Sequence, residues 1–279
     1  MMKKVFSGIF VLCLFITGCS PDKTAAGRPL LAGNLLVESM VRDIWPAADV
    51  VSLVPPGACP GHYDMKPSDA EAISRAGLFI YQPFQEAFYE KAVKINPAIQ
   101  KAVIKEGGLT TPRGYIMGLD ETAKILSGFF PDKEGLFEGN RRRVSGTITE
   151  AEEKWAGHTG RIREKKFRVI TTVFHEPLCE YLGFEVVGKF GSPDSLTVRD
   201  VRALKNAAED KGVDFIVSNV TGNHGIAAAI IGKEIKKPVI AFASIPESGA
   251  GGSGFFKLWN YNMEELAKAT GIRDDYGAE

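Results

Sequence analysis

The chain alternates between short runs of apolar, β-branched residues and longer stretches whose apolar positions recur every three or four residues. The pattern is plainest in the second half. There "KFRVITTV", "FEVVGKF", "VDFIVSN" and "KPVIAFA" have the length and composition of buried strands. Helical stretches separate them. "TVRDVRALKNAAEDKG" opens with Thr197 and Asp200 in capping-box spacing and closes on Gly212. "HGIAAAIIGKEIKK" and "KLWNYNMEELAKATG" complete the alternation. Strands alternating with helices predict an α/β fold with a mainly parallel sheet flanked by helices.

The first half repeats the theme. "RPLLAG" and "DVVSLV" read as strands around the helix "NLLVESMVRDIW". "KPSDAEAISRAG" reads as a helix with Ser68 as its N-cap and Gly77 as its stop, followed by the buried strand "LFIYQ". Between the halves, a polar amphipathic run from Glu134 to Lys166 contains few helix breakers. It predicts one long helix joining two α/β lobes, residues 28–133 and 167–279. No heptad register or solenoid period appears.

The extreme N-terminus follows other rules. "MMKK" and then "VFSGIFVLCLFITG" form a positive region and an apolar stretch of signal-peptide length, too short for a comfortable membrane span. The stretch ends in "ITGCS", similar to a bacterial lipobox, which predicts a signal peptide over residues 1–18 and a lipid on Cys19. Residues 19–27 then form a tether. The expected location is outside the cytoplasm, anchored to the membrane on the periplasmic side or at the cell surface.

Composition narrows the function classes. The 34 basic and 34 acidic residues balance, which excludes the basic excess of a nucleic-acid binder. Export leaves Cys59 and Cys179 as the cysteines of the folded part, and an exported pair forms a disulfide more often than two free thiols.

Candidate chemistry gathers at strand-to-helix junctions. His62 lies in "PPGACPGHYDMKPSD", which follows "DVVSLV" and is stiffened by Pro55, Pro56 and Pro60. His175 ends a strand in "TTVFHEPLCEYLGF", with Pro177 suited to the first turn of the next helix and Cys179 four residues on. His224 stands at the mouth of a helix in "VSNVTGNHGIAAAI". Ligands of parallel α/β sheets bind outside the strands' carboxyl ends, and imidazole suits zinc and similar ions. Asp64, Glu176 and Glu247 are carboxylates that could complete such a shell. His158 falls in the polar connecting run, where a solvated face is expected. "HEPLC" is not a zinc-protease HExxH, because Pro177 interrupts the helix that motif needs. "GAGGSG" at 249–254 follows the last strand instead of opening a βαβ unit, so it reads as a loop.

With those residues in view, the chain resembles the zinc and manganese ABC-transporter solute-binding lipoproteins, the ZnuA/TroA-like group. "VSLVPPGACPGHYDMKPSDAEAISRAGLFIY", "YIMGLDETAKIL", "TTVFHEPLCEYLGFEVVGKF" and "KLWNYNMEELAKA" are similar to segments of that family, in family order. The resemblance implies two lobes joined by a rigid helix, a metal held between them, and delivery to a membrane permease without catalysis. It also implies ligand positions. His175 falls on one of them. The loop histidine position aligns with Gly61, next to His62; the second falls among Tyr115, Ile116 and Met117; the last follows "PVIAF" at Ala243 and Ser244, with Glu247 a little beyond. The expected set for this chain is therefore His62, His175, His224 and Glu247, with zinc as the cargo and manganese next, and a monomer as the working unit. If the loop faces His175, Cys59 and Cys179 form either a disulfide, needing α-carbons within about 7 Å, or a pair of soft ligands. A binding protein for a non-metal or chelated solute remains the alternative, with helix N-termini after Ser218 and near Gly249 as N–H donors.

Overall fold

The computed structural model describes residues 27–54, 63–191, 196–220, 224–245 and 253–272. The signal peptide, Cys19 and all of the tether but Gly27 lie outside them, as do His62, Cys59 and Glu247.

Among the described residues, eight strands form two sheets. The first contains β1 (Leu30–Ala32), β2 (Val50–Ser52), β3 (Leu78–Tyr81) and β4 (Gln100–Val103) in the order β2-β1-β3-β4. The second contains β5 (Arg168–Thr172), β6 (Glu185–Phe190), β7 (Phe215–Asn219) and β8 (Val239–Phe242) in the order β6-β5-β7-β8. Every pairing is parallel. Two parallel sheets flanked by helices make the two-lobe fold expected from the alternation. The central strands β1, β3 and β7 are buried along their whole length, as helices on both faces require. In each lobe the chain order reverses beside the first strand, between β1 and β3 and between β5 and β7.

The helices follow local rules. α1 (Leu35–Ile44) is capped by Asn34, whose Oδ1 accepts from Val37 N at 3.0 Å. α2 (Pro67–Arg75) begins two residues earlier than a Ser68 cap would allow. Pro67 takes the first helical position, so Lys66 is the cap and Asp69 Oδ2 accepts from its N–H at 2.8 Å. α3 (Glu86–Ile95) and the edge strand β4, both short and partly polar, were not evident from periodicity. α4 (Pro112–Phe129) is capped by the Thr111 hydroxyl, which accepts from Gly114 N at 3.1 Å.

The polar run is helical: α5 (Glu134–Lys154) and α6 (Ala156–Lys165) meet at Trp155, whose φ of −100° and ψ of 5° depart from the helix. Phe137, Val144, Ile148 and Ala151 bury one face of α5. The Trp155 indole donates to Asn260 Oδ1 at 2.7 Å and so ties this joint to the last helix. His158 is fully buried with its ring edge-on to Trp155, 5.5 Å away, instead of solvated. Trp155, His158 and Ile162 recur at helical spacing, which puts the histidine on the packed face.

α7 (Glu176–Tyr181), α8 (Val198–Lys211), α9 (His224–Ile235) and α10 (Ser253–Thr270) complete the second lobe. The predicted capping box closes α8: Asp200 N donates to Thr197 Oγ1 at 3.2 Å and Thr197 N to Asp200 Oδ2 at 2.8 Å. Gly212 ends it at φ 77°. One apolar core runs through both lobes, from Leu30 and Met40 through Tyr115 and Phe137 to Trp259 and Leu266. Among the described residues no helix is long and apolar enough to cross a membrane.

Candidate metal centre

The lobes meet at their strand carboxyl ends. A β-carbon added at Gly108, in the segment after β4, would lie 3.5 Å from Pro177 Cβ in the first turn of α7. Tyr115 of α4 stacks on Phe255 of α10 with ring centroids 4.4 Å apart. This is where a parallel α/β protein keeps its ligand.

His175 stands at that junction. Its N–H donates to Thr172 O at 3.1 Å and its carbonyl accepts from Cys179 N at 2.9 Å, so the strand turns directly into α7. Pro177 occupies the second helical position, as its fixed φ favours. The imidazole is fully buried and lies edge-on to Phe242 at the end of β8, 5.9 Å between centroids. The Glu176 carboxylate accepts from Lys189 Nζ at 2.9 Å, at the end of β6. That pairing commits it to an ion pair.

Cys179 is a free, buried thiol that donates to Thr171 Oγ1 at 3.5 Å. Burial pushes its pKa up to about 12, with the Thr171 contact opposing. Cys59 lies outside the described residues, and the pairing of the two is not described.

The first lobe offers a bonded frame. Gln85 is fully buried; its Nε2 donates to Gly33 O at 2.7 Å and its Oε1 accepts from Gln82 N at 3.2 Å. Asn34 Nδ2 donates to Gln82 Oε1 at 3.0 Å. A β-carbon at position 33 would lie 2.4 Å from Gln85 Oε1, so a larger residue there would have to displace the glutamine side chain. In the first lobe's segment before α2, the Tyr63 hydroxyl donates to Asp69 Oδ2 at 2.7 Å. Burial, and then Asp69, push this phenol up to about 12. Asp64 beside it is exposed.

The second position implied by the resemblance carries no ready ligand. The Tyr115 hydroxyl donates to the buried Asp43 carboxylate at 2.9 Å and lies 3.0 Å from Ser39 Oγ. Burial and the Asp43 charge hold its pKa well above the usual phenol value, so the phenolate form is suppressed. At the last position, Asn262 fastens the exit of β8: Ala243 N donates to Asn262 Oδ1 at 2.7 Å and Asn262 Nδ2 to Ala243 O at 2.9 Å. Asn219 Nδ2 donates to Ser244 Oγ at 2.7 Å across the ends of β7 and β8. Gln85, Asn219 and Asn262 are scaffold residues that motif reading missed. Their signal is polarity at positions a helical or strand pattern would otherwise fill with apolar side chains.

Of the expected ligands, the structure thus describes the side chain of His175. His224 opens α9 at the carboxyl end of β7, in the same sheet. His62 and Glu247 lie outside the described residues, and among the described residues no three His, Cys, Asp or Glu side chains are grouped to hold a metal.

Two parallel α/β lobes meeting at their strand carboxyl ends, with a helical run between them, define a solute-binding protein fold. The chain belongs to the periplasmic zinc-uptake complex component A family, ZnuA, whose pattern matches residues 32–124 and 109–269. Among solved structures, the Mn-bound periplasmic metal binding protein from Candidatus Liberibacter asiaticus is similar with a TM-score of 0.69 at 16% identity, covering 88% of this chain and 100% of that one. The Cd-bound form gives 0.70 at 15% identity, covering 88% and 100%. The SBP FpvC from Pseudomonas aeruginosa in complex with Mn2+ gives 0.75 at 16% identity, covering 87% of this chain and 97% of that one. No curated protein matches the chain. The family and these similar folds are binding proteins, not enzymes.

Proposed function

We propose that this protein binds a divalent transition metal between its lobes, zinc ahead of manganese, and hands it to the permease of an ABC importer. The observation that carries the reading is His175, a buried imidazole at the carboxyl end of a central strand, where the two lobes meet. Family membership supports a metal cargo, and the similar folds described with Mn and Cd support a divalent one. Nitrogen ligands favour zinc. His62, His175 and His224 supply the nitrogens and Glu247 the compensating charge. Cys19 carries the lipid that keeps the monomer beside its permease.

The frame on either side suits a carrier that closes only slightly. The first lobe's strand ends are cross-bonded through Gln85 and Asn34, and the core is continuous between lobes. The test is metal content and zinc titration of the purified chain. Parent protein retains about one zinc, and His62→Ala and His175→Ala lose it. Parent and both variants melting alike with and without zinc would remove the proposal.

A further inference from the structure

His175 leads directly into α7, a helix of six residues. A helix this short has no stability of its own in water, so the contacts at its two ends fix its direction. At the first end, Pro177 lies against Gly108 of the first lobe.

At the far end Tyr181 is held from several sides. Its hydroxyl donates to Glu152 Oε1 in the last turn of α5. Its carbonyl, one of those a helix end leaves without an intrahelical partner, accepts from Arg163 Nε and Nη2, both at 3.1 Å. Arg163 stands in the last turn of α6, and its guanidinium lies 5.0 Å from the centre of the tyrosine ring. Trp259 of α10 meets the same ring edge-on at 5.7 Å. Gly183, just past the helix, packs so closely that an added β-carbon would lie 2.8 Å from Arg163 Cγ and 3.2 Å from its Cα. Burial, and then the bond to Glu152, push the phenol up to about 12, so it remains a donor throughout the neutral range.

Glu152 and Arg163 lie on opposite sides of the joint at Trp155. One residue thus ties α7 to both helices of the connecting run, and α5 packs along α1 and α4 of the first lobe. The position of His175 relative to the first lobe is therefore set through Tyr181 as well as through the contact at Gly108.

We propose that Tyr181 and Glu152 are positioning residues for the metal: the bond between them fixes the direction of α7 and with it the place of the His175 imidazole. The inference rests on the metal reading above and deepens it. Neither residue touches the ion. A ligand on a loose helix would have to be ordered each time a metal arrives, at a cost in affinity. The tie to α5 orders it beforehand.

The test is a zinc competition titration of the purified chain, with urea unfolding run beside it. Tyr181→Phe keeps the ring and removes the hydroxyl, Glu152→Ala removes the acceptor, and Glu152→Gln keeps one. Tyr181→Phe and Glu152→Ala should each weaken zinc binding about tenfold, the lower range for residues that support a ligand. The double variant should bind no more weakly than either, as expected for two halves of one interaction, and Glu152→Gln should bind like the parent. A loss of stability in Tyr181→Phe with zinc affinity unchanged would make the tie merely structural and overturn the proposal. Losses that multiply in the double variant would overturn it too. In a chain that takes up no zinc the metal reading falls, and hydrogen exchange then judges the anchoring by itself. The Cys179 amide, bonded to His175 O, should exchange faster in Tyr181→Phe; an unchanged rate removes the anchoring as well.

Discussion

The two lobes share a strand order, yet they treat their strand ends differently. In the first lobe Gly33, Asn34, Gln82 and Gln85 are bonded to one another, and Tyr63 is tied to Asp69 at the start of α2. In the second, His175 is packed against an aromatic ring, Thr172 keeps a hydroxyl without a partner among the described residues, and Val173, Phe174 and Val220 are exposed. A satisfied network holds a shape, whereas the second lobe's strand end brings a buried imidazole to the junction between the lobes. The first lobe is the frame and the second carries more of the described chemistry.

That contrast can be broken from either side. The largest effect is expected at His175: alanine there should weaken zinc binding by more than about 100-fold, the upper range for a supporting residue, in a competition titration against a chromophoric chelator. An equally large loss in Gln85→Ala would erase the distinction between frame and chemistry. Gln85→Ala should instead destabilise the fold by about 2–3 kcal/mol in urea unfolding, because Gly33 O and Gln82 N lose a buried partner. Its affinity for zinc should change less than that of His175→Ala.

A smaller effect is expected where the lobes touch. Tyr115→Phe removes one donor from the buried Asp43 carboxylate while keeping the stack on Phe255. Urea unfolding should show a loss of about 1–3 kcal/mol, typical of a buried hydrogen bond to a charged group. The smallest effect is a pH dependence at Cys179. Its thiol is raised from the ordinary 9 to about 12, so the folded state favours the neutral form. The resulting stability is complete below pH 9 and declines as pH rises from there toward 12. The urea midpoint of the parent should fall more steeply above pH 9 than that of Cys179→Ala, and native Cys179 should resist alkylation at pH 8.

Much of the fold was legible because parallel strands buried on both faces leave unbroken apolar runs, as in "LFIY" and "FIVSN". The capping box at Thr197 and Asp200 and the stop at Gly212 were equally local. β4 was not legible, since "QKAV" sits at a sheet edge and needs only one partner strand. Lys66, two residues earlier, replaces Ser68 as the cap, because Pro67 takes the first helical position. His158 shows a further limit: charge density along the connecting run suggested solvent, while the spacing from Trp155 to Ile162 fixed the packed face. At the site, strand-end position was enough to select His175. Scaffold amides such as Gln85 and Asn262 acquire their meaning from partners 52 and 19 residues away, which no local pattern carries.

The account turns on His175 as a metal ligand. Extended X-ray absorption of the zinc-loaded chain tests it most directly, comparing parent with His175→Ala at matched zinc occupancy. The account predicts imidazole nitrogens at about 2.0–2.1 Å in the parent and one fewer in the variant. Identical imidazole counts in the two proteins would contradict it.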